Sequence, residues 1–153
     1  MKKVFLSVLI LLSAIALNAQ IESQAIGGRF GGGNLGGGFE ASYQHALSDV
    51  NRIEADLGIN SYKGSSYFNI AGIYHWVWQL EEGFNWFAGP GVQFLGLKNN
   101  SAFGVGGQIG IEYNFNVNLD TPLLISIDTR PMMNFASKNE FGWAAALGVR
   151  YTF

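Results

Sequence analysis

Phe141-Gly142-Trp143-Ala144-Ala145-Ala146-Leu147-Gly148-Val149-Arg150-Tyr151-Thr152-Phe153 is the stretch that decides how the rest of the chain is read. Its odd positions carry Phe, Trp, Ala, Leu, Val, Tyr and Phe, and its even positions Gly, Ala, Ala, Gly, Arg and Thr. Successive side chains of an extended chain point to opposite faces, so the alternation predicts a strand with one apolar, aromatic face and one small or polar face. An apolar face that finishes on exposed aromatics suits a strand crossing a membrane better than one in a soluble sheet.

Working back from this strand, the same alternation recurs in seven further segments, at 25–33, 37–47, 52–61, 67–78, 85–96, 103–115 and 123–135. Turn-forming clusters rich in Asn, Asp, Gly, Ser and Pro separate them, and no helical period intervenes. The segment at 103–115 sets Phe103, Val105, Ile109, Ile111, Tyr113 and Phe115 against Gly104, Gly106, Gln108, Gly110, Glu112 and Asn114. The segment at 52–61 sets Ile53, Ala55, Leu57 and Ile59 against Arg52, Glu54, Asp56 and Asn60. Pro90, within Gly89-Pro90-Gly91, and Pro131 each remove a ladder donor, which predicts a bulge or bend at the first of them.

A soluble sandwich would bury the apolar faces, whereas a membrane barrel would turn them to lipid and the polar faces inward. Three features select the barrel. Charges within the segments are acids and arginines with no lysine, unlike a solvated sheet face. The polar face is crowded with glycine and alanine, as a narrow lumen requires. Tyr, Trp or Phe flank each apolar face, as interfacial girdles do. Because lipid offers no partner to a backbone amide, such a sheet closes on itself. The expected fold class is all-β: an eight-stranded antiparallel up-and-down transmembrane β-barrel.

The chain has 153 residues, of which Gly accounts for 21 and aromatics for 14%, both high for a globular domain. Lys2 and Lys3, the apolar run Val4 to Leu17 and a small residue at Ala19 predict a cleavable signal peptide over 1–19, leaving a barrel domain over 20–153. Without Lys2 and Lys3, 9 − 2 = 7 basic residues face 11 acidic ones, which argues against a nucleic-acid partner. There is no cysteine, so no disulfide framework supports the fold.

With these segments in place, the chain resembles the eight-stranded outer-membrane barrels of the OmpA membrane-domain and OmpX type, and in part small barrel proteins known only as porin-like. Its most specific element, Gly148-Val149-Arg150-Tyr151-Thr152-Phe153, looks like the C-terminal signal read by the outer-membrane assembly machinery, with Gly148, Tyr151 and Phe153 as its marked positions. The resemblance implies a Gram-negative outer-membrane location, a monomer, and both termini in the periplasm. Lys63, Lys98 and Lys138 then fall in outward loops of about three to six residues, while Asp49, Glu81, Glu82 and Asp120 fall in periplasmic turns. The three lysines are expected to contact lipopolysaccharide phosphates, each cation contributing on the order of 1 kcal/mol.

All four arginines, Arg29, Arg52, Arg130 and Arg150, share the inward parity with Glu40, Glu54, Asp56, Glu112 and Asp128. A lone buried charge costs several kcal/mol, so these groups are expected to form a salt-bridge network, with Arg150 meeting Glu112 or another acid. An eight-stranded bore is just filled by side chains, and the network reads as a polar plug. The alternative is a narrow gated pore. Gly31-Gly32-Gly33-Asn34-Leu35-Gly36 matches a dinucleotide-binding pattern but lacks the helix that mechanism needs, and reads as a hairpin turn. His75 and His45 gather no metal-ligand set, and His45 with Ser48 and Asp49 is the nearest approach to a hydrolase constellation of the kind lipid A deacylases carry. The expectation is a non-enzymatic protein with a structural or surface-interaction role and with no cofactor or metal; a lipid-modifying enzyme is the remotest reading.

Overall fold

The computed structural model describes residues 21–153. The predicted signal peptide lies outside the described residues. The strands are β1 (Gln24–Gly33), β2 (Gly36–Ser48), β3 (Asn51–Tyr62), β4 (Ser65–Glu81), β5 (Phe84–Leu97), β6 (Asn100–Asn114), β7 (Leu123–Thr129), β8 (Met132–Phe135), β9 (Glu140–Gly142) and β10 (Ala144–Thr152), with one short helix, α1 (Phe115–Leu119). Each strand from β1 to β6 pairs antiparallel with the next, β6 pairs with β7 and β8, β7 with β10, and β10 returns to β1. The ring is closed. Every segment read from the sequence falls on a strand.

Two of the eight barrel strands are interrupted without slipping. Thr129 is opposite Ile109 and Met132 opposite Gly106, so β7 and β8 continue one register across Arg130 and Pro131. Pro131 has no N–H to offer, but its carbonyl still accepts from the Gly107 N–H at 3.1 Å. The strand formed by β9 and β10 is interrupted at Trp143, whose N–H donates instead to the Asn34 side chain at 2.8 Å. Pro90 behaves differently from expectation. The β5–β6 register runs unbroken from Phe84 opposite Tyr113 through Pro90 opposite Gly107 to Leu97 opposite Asn100, while on the other side the pairing with β4 lapses at Gly89 and Pro90 and resumes in the same register, so the lost donor interrupts the ladder without a bulge. Gly89 explains why the chain passes so closely here: a Cβ on it would stand 1.7 Å from the Tyr74 carbonyl oxygen.

The connections at one end are 34–35, 63–64, 98–99 and 136–139, shorter in three cases than the loops predicted. Lys63 and Gly64 both take positive φ, 49° and 79°, as the tightest hairpin turns require. The opposite end holds both described chain ends, the turns at 49–50 and 82–83, and α1. That helix corrects the reading of 116–122 as plain turn. The Asn114 side chain caps it by accepting from the Asn116 N–H, and Asp120 ends it in the left-handed region. A single turn is too short to show a period in sequence.

Burial is inverted relative to a soluble domain. Leu57, Ile59, Ile127, Phe30 and Phe141 are among the large apolar side chains on the outside, while Arg29, Arg52, Glu54, Asp56, Glu112, Asp128, Arg130 and Arg150 are buried. Aromatics collect at both rims of the apolar wall. Trp78 stacks on Trp86 at 4.1 Å and Tyr151 on Phe153 at 6.2 Å near the chain termini. At the other rim Phe30 meets Phe39 at 4.9 Å, and Phe94, Phe103 and Phe135 stand side by side across three strands. Such pairs add about 0.5–1.5 kcal/mol each beyond the area they cover.

Candidate functional site: the charged bore

Strand parity delivers the nine charged side chains into the bore, and the closed ring brings them within reach of one another. At the centre, Glu54 on β3 is fully enclosed. Its Oε2 accepts from Arg150 Nη2 at 2.9 Å and Gln44 Nε2 at 2.6 Å, and its Oε1 from Gln108 Nε2 at 3.2 Å and Arg130 Nη2 at 3.4 Å. Arg150 is held further by Ser42 Oγ at 3.0 Å and Ser126 Oγ at 2.9 Å. Arg130 pairs with Asp56 and reaches Glu40 Oε2 at 3.3 Å. Arg29 pairs with Asp128, two strands round the ring past β10, and with Glu40 directly opposite it on β2.

A second group lies toward the chain termini. Arg52 forms a two-pronged pair with Glu112, Nη1 to Oε1 at 2.9 Å and Nη2 to Oε2 at 2.6 Å. Its Nε donates to His75 Nδ1 at 3.2 Å, and its guanidinium lies 4.9 Å over the Phe87 ring, against which His75 also packs. Glu112 is thus committed to Arg52. Of the acids open to Arg150, the one it meets is Glu54 and not Glu112, which is already held by Arg52. The sequence reading also left out Ser42 and Gln44 as members of the network. Both share the inward parity of β2 with Glu40, and that parity was the signal that would have found them.

The remaining sites are placed as follows. Lys63, Lys98 and Lys138 are exposed on three separate turns of the end opposite the termini. The Lys63 Nζ lies 5.0 Å from the Tyr62 ring. Gly148 faces inward, where a Cβ would stand 2.4 Å from Ser126 Oγ and 2.5 Å from Arg150 Nη1, so its bareness makes room for the arginine. Tyr151 and Phe153 face outward, and Phe153 exchanges backbone bonds with Gln24 at 3.0 and 3.1 Å. His45 is exposed beside Tyr43, and no hydrogen bond among the described residues joins it to Ser48 or Asp49. No group of three or more His, Cys, Asp or Glu side chains among the described residues could hold a metal.

Among the described residues, a space lies toward each end of the bore, one on each side of the network. The first, about 70 Å3, opens at the end bearing the short turns and is floored by Arg29, Glu40 and Arg130. The second, about 10 Å3, lies near the termini between Glu22, Gln44, Arg52 and Glu112. Glu22 covers that end by accepting from Asn114 and Asn116, each at 3.0 Å.

A closed ring of eight antiparallel strands with an apolar wall and a charged bore defines the small outer-membrane β-barrel class of fold. Solved structures agree. The chain is similar to Neisserial surface protein A (NspA), with a TM-score of 0.60 at 14% identity over 85% of this chain and 95% of that one. It is also similar to Ail, the attachment invasion locus protein of Yersinia pestis, with a TM-score of 0.51 at 14% identity over 87% of this chain and 100% of that one. No protein-family model and no curated protein matches the sequence.

Proposed function

We propose that the protein is an integral barrel of the bacterial outer membrane with a structural or surface-interaction role and a bore plugged against solute flow. The observation that carries this reading is the network itself: four arginines and five carboxylates tie the walls of the bore together, with a space toward each end. Moving a solute through would require separating buried ion pairs, each strongly opposed once a partner is left alone. The surface role draws support from the names of the two similar proteins, one a surface protein and one an attachment invasion protein. Short turns leave little area for a large partner, so contact with the lipid surface fits better than a broad protein interface. In this orientation the termini face the periplasm, and Lys63, Lys98 and Lys138 meet lipopolysaccharide phosphates. Gly148, Tyr151 and Phe153 serve as the assembly address of a monomer.

The experiment is conductance of the purified chain in planar bilayers, with heat-modifiable gel migration as proof of the folded barrel. A folded barrel that stays silent over a range of voltage and pH is expected; discrete conductance steps would overturn the plug in favour of a narrow pore. Deleting Phe153 is expected to lower the membrane-inserted fraction while leaving expression unchanged. Insertion equal to that of the parent chain would remove its role in assembly.

A further inference from the structure

We propose that the space at the short-turn end is a binding site for the acetamido group of a neutral amino sugar. It measures about 70 Å3, room for roughly five to seven waters at about 10–15 Å3 apiece. That suits a small side group of a ligand and not a whole hexose. The inference rests on the outward orientation proposed above for its access in the cell, but not for its existence.

The floor decides the charge of the ligand. Arg29 and Arg130 already hold Glu40, Asp56 and Asp128, and Glu40 also accepts from Asn69 Nδ2 at 2.6 Å. An incoming anion would compete with Glu40 for the arginines, and an incoming cation would meet two guanidinium groups. A neutral group disturbs neither.

The walls decide its chemistry. Asn60 donates to Asn69 at 2.8 Å and Gln93 donates to Asn134 at 2.6 Å, each with one of its two amide N–H groups, while the acceptors Asn60 Oδ1 and Gln93 Oε1 have no protein donor among the described residues. Asn134 is in the reverse state. Its Oδ1 is taken, while its Nδ2 is buried and has no partner. That nitrogen lies behind the lining, next to Gly142 and Leu35, since a Cβ on Gly142 would stand 2.9 Å from Asn134 Nδ2 and 2.6 Å from Leu35 Cδ1. A secondary amide offers one N–H and one carbonyl, which match the free acceptor and the remaining N–H of the lining amides Asn60 and Gln93. Its methyl group finds Leu35, Leu95 and Met132.

A sugar is favoured over an acetylated peptide by the rim. The turns at 34–35, 63–64 and 98–99 leave no groove to seat an extended chain, and the closed ring offers no strand edge for one to pair with. Leu35 lies over the opening, its carbonyl accepting from Tyr67 Oη at 2.9 Å and its neighbour Asn34 donating to the Phe141 carbonyl at 2.8 Å.

The test is saturation-transfer NMR on the folded full chain in detergent micelles, with N-acetylglucosamine, glucose, glucosamine and N-acetylalanine methylamide as probes. Transfer concentrated on the acetyl methyl of N-acetylglucosamine is expected, with little to glucose or glucosamine. Gln93→Met and Asn60→Leu, each checked for heat-modifiable migration, should weaken binding about tenfold, as loss of a needed hydrogen bond does. Equal transfer to glucose, or binding unchanged in both variants, would overturn the site. Stronger transfer to the peptide analogue would overturn the sugar assignment. Because micelles report the site without regard to orientation, failure here leaves the proposed membrane role standing, and failure of that role leaves this site testable.

Discussion

The two ends of the bore are built from the same wall of alternating strands, yet one is filled and the other hollow. Toward the termini, Arg52, Glu54, His75, Phe87, Glu112 and Arg150 are all almost completely buried, and only about 10 Å3 is left between them and Glu22. Toward the short turns, the inward positions carry Gly31, Gly38, Asn60, Asn69 and Gln93, and about 70 Å3 stays open. Opposed charges with long stems reach the middle of the bore and draw each other in; short amides and glycines do not. The difference teaches that the bore is filled by the placement of charge, not by the diameter of the ring.

The largest effect that would break this comparison is at the filled end. Glu54→Leu leaves Arg150 without its carboxylate and should cost about 3–5 kcal/mol, read by urea unfolding in micelles. Adding Arg150→Met should return part of that loss, and a double variant weaker than the single one would show that the pair is not coupled. Gly148→Ala should cost about 1–3 kcal/mol by pushing against Arg150 and Ser126. Asn34→Ala, at the hollow end, removes its bonds to Phe141 and Trp143, which are exposed, and should cost about 1 kcal/mol. Smallest of all, replacing Lys63, Lys98 and Lys138 together by Ala should leave urea midpoints unchanged while reducing lipopolysaccharide binding. An equal loss of stability at both ends would erase the distinction.

The architecture was legible because period two is a local property. Arg52, Glu54 and Asp56 share a face whatever the strand pairs with, and so do Ile53, Leu57 and Ile59. What the sequence withheld is geometry across the ring. Which acid meets Arg150 depends on the stagger of eight strands, and a parity argument sees only the inward side, not the depth; hence parity leaves Glu112 and the other inward acids open, and the closed ring selects Glu54. Pro90 shows the same limit: its missing N–H is legible and does interrupt the pairing with β4, but that the register survives without a bulge is set by the strands on either side. The open space was not legible at all, because it arises from what Gly31, Gly38 and Gly142 lack.

Closure of the ring also has a kinetic meaning. Arg29 reaches Asp128 over a separation of 99 residues and Arg150 reaches Glu54 over 96, so neither bond exists until β10 has met β1. Every earlier pairing is a hairpin between neighbours and forms cheaply, whereas the final seam must pay the loop entropy of nearly the whole chain. An open sheet therefore carries unmatched guanidinium and carboxylate groups along the face that later becomes the bore. Docking of the last strand is therefore the step that satisfies those charges and removes the last open strand edges together.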